Sequence, residues 1–248
     1  MKTSAIIEAR MGSTRLPGKV LMEAAKKPML EHLVNRLREV NSIDDIILAT
    51  TENKKDDILI DFAIKNKIKY FRGSEEDVLS RVLNAGKFYK VEEVVGITGD
   101  CPIIDPNIIE QVIRLYRIHK VSFVTNALVR SFPDGMDTII YSLSTLEKSS
   151  ALAYTKKERE HTTLHMSSNP KIFSYINLVS PPELHWPELG LTLDEEQDYL
   201  LLKKIIEHFD DINPFFSCWD VINLIKEKPE LQNINNNVKR TKILRTEY

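Results

Sequence analysis

The chain has 248 residues, 34 Lys+Arg against 36 Asp+Glu for a formal charge of −2, and only two cysteines, Cys101 and Cys218. That length carries a full core without cross-links, two cysteines cannot build a disulfide framework, and near-neutral charge excludes recognition of nucleic acid through a bulk basic field. No apolar run approaches the ~18 residues of a membrane span and Met1–Ala9 is too short for a secretory leader, so the expectation is a cytoplasmic globular protein with neither nucleic acid nor membrane as partner.

In chain order, Ser4–Ala9 reads as a strand and Pro28–Val40 as a helix. Met29, Leu30, Leu33, Val34, Leu37 and Val40 share one face of that helix, with Pro28 in its first turn. Asp45–Thr50 is a second strand, Asp56–Lys65 a helix, Ile68–Phe71 a third strand and Glu76–Tyr89 a helix. Glu93–Thr98 is a fourth strand, Asn107–His119 a helix, and Ser122–Asn126 closes the series. Strands alternating with crossover helices predict an α/β fold with a doubly wound, mostly parallel sheet.

Past Asn126 the alternation stops. Asp137–Ser142 and Ile172–Asn177 read as strands of a separate, antiparallel arrangement, with one charged helix, Leu143–Met166, between them. Glu195–Phe209 and Ser217–Lys228 read as helices, the second opened by a Ser217/Asp220 capping pattern. Asn233–Asn237 and the basic tail Lys239–Arg245 read as solvated surface. The expected organisation is one domain over 1–248 with an inserted arm.

The chemistry is expected where six of the eight glycines lie, beside strand ends, since open parallel sheets bind ligands outside the carboxyl ends of their strands. The loop after the first strand, Arg10-Met-Gly-Ser-Thr-Arg-Leu-Pro-Gly-Lys19, combines three cations, two hydroxyls and two glycines. Polyphosphate calls for this mixture of charge and free backbone N–H donors. The loop is neither a Walker A motif nor a dinucleotide fingerprint, because five residues separate Gly12 from Gly18, Pro17 among them, and Val20 follows Lys19. Thr98-Gly-Asp-Cys-Pro102 places Asp100 just past the fourth strand, suited to Mg²⁺ on a nucleotide or to capping the turn. In Gly190-Leu-Thr-Leu-Asp-Glu-Glu-Gln-Asp198, Asp194 stands at a helix entrance, where a capping role is the alternative, and Asp198 follows four residues later. Two acidic segments flanking a cationic loop point to metal-assisted phosphoryl chemistry. His161 and His165 do not complete a zincin pattern, since residue 162 is Thr, and each cysteine reads as a packed thiol.

These segments resemble the cytidylyltransferase family that makes CMP-sugars, and within it the spore-coat polysaccharide branch. The matching stretches are IIEARMGSTRLPGKVL (6–21), KPMLEHLVNRL (27–37), FRGSEEDVLSRV (71–82), ITGDCPIIDP (97–106), FPDGMD (132–137), EREHTT (158–163) and LTLDEEQD (191–198). The first is shared with the CMP-KDO and acylneuraminate synthetases.

The resemblance implies a Rossmann-like, GT-A-like nucleotidyltransferase that uses CTP and Mg²⁺, releases pyrophosphate and activates a small acidic sugar. It implies that Arg10, Ser13, Arg15 and Lys19 grip the triphosphate, with Ala9, Met11, Gly12, Arg72 and Asp77 also at the nucleotide. Arg10, Lys19 and Asp100 take the catalytic roles, and Asp100 and Asp194 hold metal. Asp134, Arg159, Glu160 and His161 face the acceptor, and the arm at 132–166 forms a homodimer. The chain departs from the family pattern at Gly96 (usually Arg), at Ile139 (usually Glu) and at Ala-Ala-Lys-Lys-Pro-Met over 24–29 (usually ending in Gly-Lys-Pro). The first two leave the acceptor open. A CDP-forming enzyme acting on a sugar or polyol phosphate and a GT-A-type glycosyltransferase are the alternatives.

Overall fold

The computed structural model describes residues 1–240. Its strands are β1 (Thr3–Glu8), β2 (Glu23–Ala24), β3 (Lys27–Pro28), β4 (Asp45–Thr51), β5 (Lys69–Gly73), β6 (Glu93–Thr98), β7 (Phe123–Thr125), β8 (Ile139–Ser142) and β9 (Tyr175–Asn177). Its α-helices are α1 (Met29–Arg38), α2 (Asp57–Lys65), α3 (Val78–Phe88), α4 (Pro106–Ile118), α5 (Leu143–Leu152), α6 (Lys156–Glu160), α7 (Leu164–Ser168), α8 (Glu196–Phe209) and α9 (Cys218–Glu227). Seven strands form one sheet in the order β5-β4-β1-β6-β8-β7-β9, and β2 and β3 form a separate hairpin.

The parallel half follows the sequence pattern. β1 pairs in parallel with β4 and β6, and β4 with β5. Ala5, Ile6 and Ile7 of β1 and Ile47, Leu48 and Ala49 of β4 are fully buried, as strands covered by helices on both faces require. On one face Ile7, Leu48 and Val95 meet Leu30, Leu33 and Leu37 of α1 and Val112 of α4. On the other, Ile6, Ile47 and Val94 meet Leu79 and Val82 of α3. A third cluster packs α8 and α9 against Phe132, Met136 and Leu189–Leu193.

The second half corrects the sequence reading. The strands past Asn126 do not form a separate arrangement, because they extend the main sheet. β8 runs antiparallel between β6 and β7, while β9 is parallel to β7. Leu143–Met166 is three helices, because the capping box of Thr155 with Glu158 starts a new helix at Lys156 and the chain turns again around His161–Thr163. Pro28 is extended and pairs with Glu23, so it caps α1 rather than entering its first turn. Asn235 is buried rather than solvated, and Arg240 is held by ion pairs; the rest of the expected basic tail, 241–245, lies outside the described residues. The Ser217/Asp220 capping box forms as expected. Among the described residues no helix is long and apolar enough to cross a membrane.

Candidate active site

The carboxyl ends of β1 and β6 lie side by side, and the Gly99 amide donates to the Glu8 carbonyl at 2.9 Å. A Cβ on Gly99 would sit 2.8 Å from that of Ala9, so only glycine allows the two loops to leave the sheet this close together. The first loop folds back on itself. Gly18, at φ +73°, donates its N–H to the Met11 carbonyl at 3.0 Å, and the Met11 N–H donates to Asp56 Oδ1 at 2.7 Å. The turn delivers Lys19 to the cleft.

Two cavities open on this edge of the sheet. The larger, about 790 Å³, is lined by Ala9, Arg10, Ser13, Arg15 and Lys19 from the loop, by Asp77 and Asp100, by Arg159, Glu160 and His161, and by Asp194. The second, about 600 Å³, runs under β8 and takes in Gly96, Arg130, Asp134, Asp137, Ile139 and Arg240. Arg15, Thr98, Asp100, His161 and Asp194 border both, so the cavities meet at the two aspartates.

A backbone hydrogen bond brings those aspartates together, the Leu193 N–H donating to the Asp100 carbonyl at 2.8 Å. Their side chains converge on one ammonium, Lys19 Nζ lying 3.2 Å from Asp100 Oδ2 and 2.9 Å from Asp194 Oδ1. Burial works against the charge on Lys19, but Asp100 and Asp194 outweigh it and hold the pKa above its ordinary value. Asp194 is held below the carboxylate range: burial opposes this, and Lys19, Arg15 and Arg240 overcome it. The other loop cations also rest on acids, Arg15 Nη2 3.2 Å from Asp194 Oδ2 and Arg10 Nη1 2.9 Å from Glu75 Oε1.

Among the described residues no cluster of three or more His, Cys, Asp or Glu side chains could cage a metal. Two convergent carboxylates nonetheless suit Mg²⁺, which takes one or two protein carboxylates and completes its shell with phosphate oxygens and water. Asp194 is not the cap of α8. Glu195 is, in a box with Asp198, which is fully buried and turned away from the cleft.

Several expected positions fall elsewhere. The Arg72 guanidinium donates to the Thr51 and Asn53 carbonyls at 2.9 Å and pairs with Asp57 at 2.8 Å, outside the cavity lining. Met11 packs on the core and Gly12 faces Lys55 and Glu75, so both shape the loop without lining the cleft. Asp77 caps α3 and pairs with Arg159 Nη2 at 2.7 Å, a clamp that holds α6 over the cleft. Of the expected acceptor residues, Asp134 and His161 border the second cavity, whereas Arg159 and Glu160 border the first.

Sequence reasoning missed Glu8, Arg81, Asp137 and Arg240, whereas Arg130 stood in it only as a cation available to a phosphorylated acceptor. Glu8, the last residue of β1, lies at the floor of the larger cleft, where burial pushes its pKa up against the Thr162 hydroxyl, which donates to it at 2.8 Å, and against the charge of Arg81. Its place directly before the cationic loop was the available signal. Arg240 offers none, being remote in sequence from every other site residue.

The sequence profile of the cytidylyltransferase family matches residues 4–224. The chain belongs to that family. As a cytidylyltransferase it is a CTP-dependent nucleotidyltransferase, and its relatives agree in fold. It is 31% identical over 232 residues to the spore coat polysaccharide biosynthesis protein SpsF of Bacillus subtilis, covering 91% of this chain and 94% of that one. A solved cytidylyltransferase from Leptospira borgpetersenii superposes with a TM-score of 0.89 at 34% identity, over 97% of this chain and 99% of the other. A CMP:2-keto-3-deoxy-manno-octonic acid synthetase solved with CTP shares the fold, with a TM-score of 0.64 at 17% identity over 84% of this chain and 99% of its own.

Proposed function

We propose that this cytidylyltransferase transfers CMP from CTP to a small acidic sugar of the nonulosonic type, for surface polysaccharide or glycan synthesis in the cytoplasm. The observation that carries the reading is the convergence of Lys19, Asp100 and Asp194 where a cleft lined by loop cations meets a second cavity. CTP enters the larger cleft, where Arg10, Arg15 and Lys19 exchange their carboxylate partners for β- and γ-phosphate oxygens and the Ser13 hydroxyl donates beside them. Asp100 and Asp194, freed from Lys19, would hold Mg²⁺, which when bound neutralises charge on the α-phosphate and acidifies the acceptor hydroxyl.

The acceptor lies in the second cavity. Its oxygen bonds to the α-phosphorus as the bond to the β-phosphate bridging oxygen breaks, its proton passes to solvent, and pyrophosphate departs with its charge held by the loop. Asp134 and His161 line the acceptor cavity. Gly96 and Ile139, where the chain departs from the family pattern, are paired across β6 and β8 on its floor, so the two departures form one uncharged patch against the acceptor. The arm at 132–166 forms a homodimer contact, for which Leu152 and Tyr154, 43% and 87% exposed, supply apolar surface.

The test is release of pyrophosphate from each of the four NTPs with Mg²⁺, against 3-deoxy-manno-octulosonate, N-acetylneuraminate and a set of sugar phosphates. The expected result is release only with CTP and a sugar acid. Release only with a phosphorylated acceptor would replace this reading by the CDP-forming one, which Arg130 and Lys157 on the second cavity favour.

A further inference from the structure

Arg240 lies beyond the stretch matched by the family profile, yet it returns to the junction of the two cavities. Its Nη2 donates to Asp198 Oδ1 at 2.7 Å and its Nη1 to Thr192 Oγ1 at 2.6 Å, and its side chain is only 18% exposed. The fully buried Asp198 in turn accepts the backbone N–H of Asp194 at 3.2 Å and of Glu195 at 3.0 Å through its other oxygen. Asn235 anchors the same returning segment, its Nδ2 donating to Asp198 Oδ1 at 2.8 Å and to the Gly190 carbonyl at 2.9 Å. The guanidinium lies flat across Gly190, where a Cβ would sit 1.8 Å from its central carbon.

We infer that Arg240 is a positioning residue for Asp194. Beyond the isolated bridge of Gly190 to Asp134, the segment 191–195 has no regular secondary structure. The Leu191 N–H ties its start to the Asp134 carbonyl, and among the described residues the only main-chain bond that ties it to the Asp100 loop is the 2.8 Å one at Leu193. Arg240 grips it on both sides of that point, at Thr192 directly and at Asp194 through Asp198. The C-terminal segment thereby sets the separation of the two carboxylates that converge on Lys19. Outer partners of this kind orient a metal-binding carboxylate, and their loss weakens metal affinity by about 10–100-fold. The inference rests on the nucleotide and metal reading above, and it adds to the active site a residue of the second cavity's wall that acts on Asp194 through Asp198.

The experiment measures Mn²⁺ uptake by electron paramagnetic resonance in the CTP complex, CTP affinity without metal by calorimetry, and thermal stability. These are compared for the wild type, Arg240→Ala, Arg240→Lys and Gly190→Ala. Gly190→Ala leaves Arg240 chemically intact but displaces its guanidinium. Asp198 keeps at least three of its four donors in every variant, and the thermal measurement identifies any variant whose loss is one of folding.

The expected result is Mn²⁺ affinity reduced about tenfold or more in Arg240→Ala and in Gly190→Ala, with Arg240→Lys in between. Metal-free CTP affinity stays unchanged. Wild-type Mn²⁺ affinity in Arg240→Ala, or an equal loss of metal-free CTP affinity, would overturn the positioning role and leave the nucleotide reading standing. Failure of the wild type itself to take up Mn²⁺ with CTP would overturn both.

Discussion

At Lys19 burial and charge pull in opposite directions, and two carboxylates decide the outcome. Before substrate binds, the ammonium keeps Asp100 and Asp194 together. In the proposed CTP complex it moves onto phosphate, and its removal is then expected to strike the step at which charge builds on the leaving pyrophosphate. Lys19→Ala is expected to lower kcat/KM for CTP by about 100-fold or more in steady-state assays, and near-normal kinetics would contradict that role. Asp137 makes a second prediction, through pH. Burial in the cavity wall pushes its carboxyl up to about 6 from an ordinary 3.8, with Arg130 opposing and Asp134 and Asp100 adding. A raised folded pKa gives stability that is complete below the ordinary value and is lost as pH rises through about 6. The stability of the wild type relative to Asp137→Asn, read by urea unfolding from pH 4 to 7, should therefore fall across that window, and a flat difference would contradict the burial argument. Lys19 and Asp100 are legible in the sequence because each directly follows a glycine in a loop that leaves the carboxyl end of a strand, among charged and hydroxyl residues. Asp137 and Arg240 are not legible, because their partners come from segments that only the folded chain brings near.

The β2–β3 hairpin carries strain in its turn. Ala25 and Lys26 sit at φ +46° and +61°, a left-handed pair that two-residue hairpins demand and that side chains other than Asn and Gly resist. Ala25→Asn with Lys26→Gly is expected to raise unfolding stability by about 1 kcal/mol or more, measured by urea denaturation, and no gain would show that the turn is unstrained. Helix α9 makes the opposite prediction. Ser217 accepts from the Asp220 N–H and Asp220 accepts from the Ser217 N–H, so Ser217→Ala should cost about 1 kcal/mol in the same measurement. Elements whose pattern is local, such as α9 and the alternating first half, can be read directly from residue spacing. The region 143–166 cannot, since no Gly or Pro interrupts it; its breaks come from the Thr155 box and from Thr162 reaching to Glu8. β8 and β9 have strand-like composition, but which strands they pair with is decided by the free edge beside β6, a contact distant in sequence.

In the whole molecule, the crossover connections put every loop that carries site chemistry on the carboxyl edge of one sheet, the edge where open α/β sheets bind ligands. The parallel half supplies the cleft with the cationic loop. The antiparallel insertion of β8 supplies the second cavity, and the third apolar cluster supports the wall that carries Asp194. In the proposed complex the triphosphate and its metal displace the ion pairs around Lys19 where the two cavities meet. Diffraction from crystals grown with CTP and Mn²⁺, using the anomalous signal of manganese, tests it most directly. The expected result is an anomalous peak between Asp100 and Asp194, with Lys19 Nζ shifted onto the triphosphate and the nucleotide in the larger cleft. A metal bound away from those aspartates, or a triphosphate that does not touch the loop from Arg10 to Lys19, would contradict it.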